Sequence, residues 1–92
     1  MTVADTIRAK LTVALAPDAL TIEDESAKHA GHAGARPGGE THFRVRIVSK
    51  EFEGVSRVER QRRVYGVLAE ELRDRVHALA LTALTPKEAL GR

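Results

Sequence analysis

The chain has no cysteine and no tryptophan, and its 92 residues hold only three aromatic side chains, Phe43, Phe52 and Tyr65. Without cysteine there is no disulfide, and any metal site that needs a thiolate must take it from another molecule. The absence also fits a reducing compartment. With so few rings there is no platform on which bases or sugars could stack. No run of eighteen apolar residues occurs, and residues 1–15 interrupt their apolar positions with Asp5, Arg8 and Lys10, so neither a membrane span nor a signal peptide is expected and the chain reads as cytoplasmic. The formal net charge is only +2, too small to imply nucleic acid by itself.

Hydrophobic residues make up 42% and charged residues 30%, a globular balance on a length suited to one domain. The basic residues are concentrated. Residues 44–63 hold Arg44, Arg46, Lys50, Arg57, Arg60, Arg62 and Arg63 against Glu51, Glu53 and Glu59, whereas every charge between Asp18 and Glu25 is acidic.

Thr2 can cap a helix with Asp5 three residues on, and Val3, Ile7, Leu11 and Leu15 continue one apolar stripe up to Pro17. Leu20 and Ile22, then Phe43, Val45 and Ile47, alternate with polar residues as half-buried strands do, which suggests a hairpin. Between the strands, residues 27–40 (AKHAGHAGARPGGE) hold four glycines and a proline, a connection of the length at which loops are functional or disordered. Ser56, with Glu59 three residues later, can cap a second helical stretch marked by Val64, Val67, Leu68 and Leu72. Gly66 within it suggests close packing at that point. HALALTAL, residues 77–84, supports either alternation or a continuous apolar run, which at this length suggests a buried strand, and Thr85 with Pro86 and Glu88 reads as the start of a short last helix. The expected fold is α+β, a single domain with helices on one face of a sheet.

Enzymatic patterns are missing. Ser26, Ser49 and Ser56 lie in no nucleophile-elbow sequence, adjacent Asp24 and Glu25 point to opposite faces of a strand, and phosphate-loop and dinucleotide motifs are absent. The residues that could carry chemistry are the four histidines. His29 and His32 form H-x-x-H in the glycine-rich connection, able to offer two nitrogens to a borderline metal or simply to sit in a solvated loop. His77 precedes an apolar strand, as a ligand or as a part-buried ring bonded to backbone; His42 is read as structural. The arginines of RVERQRR, Arg57, Arg60, Arg62 and Arg63, could instead meet phosphates from a turn between two helical pieces. The G-x-x-G clamp of KH domains is incomplete, since Gly54 is followed by Val55, Ser56 and Arg57.

Four segments in order, DESAKHAGHAG (24–34), GETHFRVRIVS (39–49), FEGVSRVERQRRVYGVLAEEL (52–72) and VHALALTALTPKE (76–88), give the chain a resemblance to the BolA family over residues 7–90. The resemblance implies an αββααβα fold similar to class II KH domains, with helices packed on a three-stranded sheet. It also implies a partner, a monothiol glutaredoxin, and a shared [2Fe-2S] cluster bound by a histidine or cysteine in the loop between the first two strands and a histidine at the start of the third. Those positions match His29 or His32, and His77. The glutaredoxin cysteine and its bound glutathione would provide the thiolates this chain lacks. Such mixed nitrogen and sulfur ligation resembles Rieske centres, and its protonatable donors imply pH sensitivity. The family's usual R-H-R is Arg60-Gln61-Arg62 here, so no role carries over for the central histidine. Some BolA-like proteins are described as transcriptional regulators, which implies a DNA-binding alternative through residues 54–63. A homodimer is left open.

Overall fold

The computed structural model describes residues 2–26 and 41–91. His29 and His32 lie outside the described residues.

Helix α1 spans Val3–Leu15 and begins with a reciprocal cap, the Asp5 N–H donating to Thr2 Oγ1 at 3.0 Å and the Thr2 N–H to Asp5 Oδ2 at 3.1 Å. It ends where Ala16 turns left-handed at φ 41° before Pro17. Strand β1, Ala19–Asp24, pairs antiparallel with β2, His42–Val48. A 3-10 turn, Lys50–Phe52, leads to helix α2, Arg57–Val67, which Ser56 caps through the Glu59 N–H. Helix α3, Ala69–Asp74, follows, then β3, Ala78–Leu84, parallel to β2, and α4, Pro86–Leu90, closed by a reciprocal Thr85–Glu88 cap. The αββααβα order and a three-stranded mixed sheet β1-β2-β3 are those the sequence and its family resemblance lead one to expect.

The helices cover one sheet face. Val3, Ile7, Leu11 and Leu15 of α1, spaced one turn apart, pack with Phe43, Val45 and Ile47 of β2, Phe52, and Val64 of α2. Burying each aliphatic side chain of this set contributes about 2 kcal/mol. The opposite face exposes Thr21 and Glu23, Arg44, and Ala80 and Thr82, neighbouring rows of the three strands.

Three expectations need correction. The second helical stretch does not divide within RVERQRR: residues 57–67 are one helix, and the break falls at Leu68, whose φ of −100° and ψ of 19° leave the helical range. β3 is not a buried strand but a half-buried edge strand: it pairs only with β2, and Leu79, Leu81 and Ala83 pack against the core while Ala78, Ala80 and Thr82 face solvent. At Gly66 an added Cβ would meet nothing within 4 Å among the described residues, so no close packing between them requires a glycine there. Among the described residues no helix is long and apolar enough to cross a membrane.

Candidate functional site

His77 stands immediately before β3, and parallel pairing fixes where that is. His42 is in register with Ala78, which puts the heads of β2 and β3 side by side. The His77 and Ala78 N–H groups both donate to Thr41 O, at 2.7 and 3.1 Å. The His77 side chain extends from this anchored backbone as part of an exposed residue. Its ring centroid lies 5.2 Å from that of His42, the planes tilted by 51°.

His42 itself is only 6% exposed. Its Nδ1 is 2.9 Å from Thr41 Oγ1, a hydrogen bond that restrains the imidazole beside His77. Ser26 Oγ accepts from the Thr41 N–H at 2.9 Å and from the His42 N–H at 3.3 Å, and its hydroxyl is 3.4 Å from that of Thr41. Ser26 and Thr41 are the described residues that flank residues 27–40, so both ends of that connection are pinned beside His77 by buried hydrogen bonds. Next to them Arg44 Nε donates to Glu25 Oε2 at 3.0 Å, and this partner keeps the guanidinium more firmly protonated than usual.

His77 and His42 are thus brought together, although the sequence reading set His42 aside as structural. The available signal was that β2 and β3 both start at a histidine, but it becomes informative only once the strands are known to be parallel and in register. Ser26 and Thr41 carried a weaker signal, two small hydroxyl residues at the borders of a glycine-rich stretch. Among the described residues no group of three or more His, Cys, Asp or Glu side chains could hold a metal ion.

The arginines separate. Arg57, Arg62 and Arg63 are exposed on α2, with Arg62 Nη1 2.6 Å from Glu59 Oε1 and Arg63 Nη1 donating to Glu51 O at 3.3 Å. Arg60, grouped with them from the sequence, is instead buried at 6% exposure and faces the protein rather than a phosphate. Its guanidinium lies over the Phe52 ring, 5.8 Å from the centroid, and donates to Val55 O, Ala83 O and Glu88 Oε1. With the Thr85 N–H, it holds the Glu88 carboxyl well below its usual range, at about 2.

Comparison with known proteins agrees with this architecture. The family model described as BolA-like protein matches residues 11–88. The chain is 51% identical over 88 residues to Protein BOLA1, chloroplastic, of Arabidopsis thaliana, covering 94% of this chain and 55% of that protein. It is 51% identical over 82 residues to human BolA-like protein 1, covering 89% and 57%. The chain therefore spans a little over half the length of these curated relatives. The solved structure of BolA1 from Arabidopsis thaliana superimposes with a TM-score of 0.86 at 49% identity, covering 96% of both chains. The BolA domain of SufE1 from the same plant gives 0.82 at 47% identity, covering 92% and 93%. Shared strand order, a family match across most of the chain and relatives half identical to it make this chain a member of the BolA family.

Proposed function

We propose that this protein is a non-enzymatic adaptor that binds a monothiol glutaredoxin and co-ligates a [2Fe-2S] cluster, for iron-sulfur trafficking or iron sensing. The observation that carries the reading is the exposed His77, its backbone hydrogen-bonded to the residue that ends the histidine-containing connection. The second nitrogen donor of this reading is His29 or His32 of the same connection.

The donor set suits a shared cluster rather than one this chain holds alone. It offers neutral nitrogen and no sulfur, while [2Fe-2S] iron favours thiolate, so the cysteine of the partner and its glutathione would complete the ligation. Within this chain, Ser26 bonds to Thr41, Thr41 O accepts from the His77 N–H, and the His42 ring packs beside His77. The cluster is the cargo passed or read between the partners.

Titrating the protein with cluster-loaded monothiol glutaredoxin tests this by visible circular dichroism and size exclusion. The expected result is a saturable spectral change with a mixed complex, lost in His77→Ala. If His29→Ala/His32→Ala/His77→Ala still forms a mixed cluster of unchanged spectrum, the ligand assignment fails.

A second reading, DNA binding for transcriptional regulation, draws on the exposed Arg57, Arg62 and Arg63 of α2. Phosphate contacts by several arginines lose affinity steeply between low and moderate salt. DNA retention unchanged by Gln at all three positions would dispose of it.

A further inference from the structure

The outer edge of β3 is least protected at one residue. In the β2–β3 ladder the Ala78 N–H reaches Thr41 O, and Leu84 O accepts from the Ser49 N–H at 2.9 Å. Main-chain groups alternate in direction along a strand, so the even-numbered residues of β3 face β2 while Leu79, Leu81 and Ala83 turn their N–H and C=O outward. Two arms from α2 meet this edge, the Tyr65 hydroxyl donating to Leu79 O at 3.3 Å and Arg60 Nη1 to Ala83 O at 3.1 Å. Leu81, midway, has no such arm. Its outward donor and acceptor have no partner among the described residues.

Helix α2 runs beside this gap. A groove of about 260 Å³ lies between Arg57 and Gln61 on the helix and Leu81, Thr82 and Ala83 on the strand. Past Gln61 it continues into a hollow bordered by Val58, 60% exposed, and Gly66. From Arg57 to Tyr65 the helix rises about 12 Å, and from Leu79 to Ala83 the strand extends about 13 Å, so helix and edge are matched over roughly five residues of any added strand. Arg57 is exposed and makes no ion pair among the described residues, unlike Arg62.

We propose that this edge takes an extended acidic peptide segment of a partner protein by strand addition, pairing with the backbone at Leu81, with a carboxylate against Arg57 and an apolar side chain over Val58 and Gly66. Strand edges pair readily with another chain unless they are protected. Here Tyr65 and Arg60 occupy the carbonyls at the two ends, and Leu81 between them offers both its donor and its acceptor. A donor and an acceptor exposed together on one residue suit a peptide backbone better than a nucleic acid. The groove's one ring, Tyr65, has its hydroxyl committed to Leu79. A second copy would set α2, with three exposed arginines, against an equally basic helix. The proposal does not depend on the cluster reading, since it uses neither His77 nor the histidine-containing connection.

The test is an amide NMR titration of the labelled protein with a terminally blocked peptide of alternating glutamate and valine, Ac-EVEVE-NH2. The Leu81 amide should shift and its hydrogen exchange should slow, with no response to the lysine analogue. Leu81→Pro removes the outward N–H together with a leucine side chain packed against the core, so it is read only where the remaining amide spectrum stays in place, and there it weakens binding about tenfold. Arg57→Glu should weaken it comparably while leaving the rest of the spectrum in place. An unmoved Leu81 amide, or undiminished binding by Arg57→Glu, overturns the proposal. So does the same shift produced by concentrating the protein alone, which assigns the edge to a second copy, or by oligothymidylate in place of peptide, which assigns it to nucleic acid.

Discussion

Arg60 and Arg62 are chemically identical and two positions apart, yet the fold uses them in opposite ways. Arg60 is 7% exposed at its side chain and bonded to three acceptors, while Arg62 is 71% exposed and paired with a half-exposed Glu59. Removing a buried charge strands its partners and costs about 3 kcal/mol or more, whereas an exposed i, i+3 pair is worth about 0.5 kcal/mol or less. Arg60→Ala should therefore lower the unfolding free energy in urea several times more than Arg62→Ala. The sequence held the distinction in its periodicity: Arg60 lies one turn before Val64 on the helix stripe that buries its residues. Charge alone concealed it, because an arginine on an apolar stripe resembles a solvated one until its acceptors are known. Gly66 makes the converse case. Its helical position is open to solvent and a methyl group there meets nothing, so Gly66→Ala should raise stability by about 1 kcal/mol in the same assay.

At the scale of elements, caps and periodicity made the order of helices and strands legible. The Thr2, Ser56 and Thr85 caps all form, each through its side-chain oxygen. The break at Leu68 was not legible from composition, because neither glycine nor proline marks it and a buried leucine occupies the turn. β3 reads as buried in sequence for a related reason: Leu and Ala count equally as apolar and hide the alternation, although Leu79 and Leu81 face the core while Ala78 and Ala80 face water. Helix α4 is held to α2 and β3 through Glu88, whose carboxyl pKa falls from 4.5 to about 2 beside Arg60 and the Thr85 N–H. A carboxylate depressed by folding adds stability above its unfolded pKa and loses it as pH falls through its folded one. The Tm of the native protein should fall between pH 4.5 and about 2 more steeply than that of Glu88→Gln, measured by circular dichroism melts.

For the molecule as a whole, the sheet order is decisive. β2 is central, paired on one side with β1 and on the other with β3, and Val45 and Ile47 are fully buried. Its amides should be the slowest in native-state hydrogen exchange, and the outward amides of Leu79, Leu81 and Ala83 much faster, because the latter have no strand to open from. The same order explains why the site was only partly legible. The histidine at the head of β3 followed from the family resemblance, but its contact with His42 depends on two strands 36 residues apart in register, and no local pattern encodes that. The hydrogen bonds of Ser26 to Thr41 have a consequence for engineering and for divergence among relatives. Because Ser26 and Thr41 are joined there, the chain leaves β1 and enters β2 at neighbouring points, and the sheet edge is closed by described residues alone. Doubling the length of such a connection costs only about 0.6 kcal/mol in closure entropy. Sequences of different length inserted between Ser26 and Thr41 should therefore leave the urea unfolding midpoint almost unchanged.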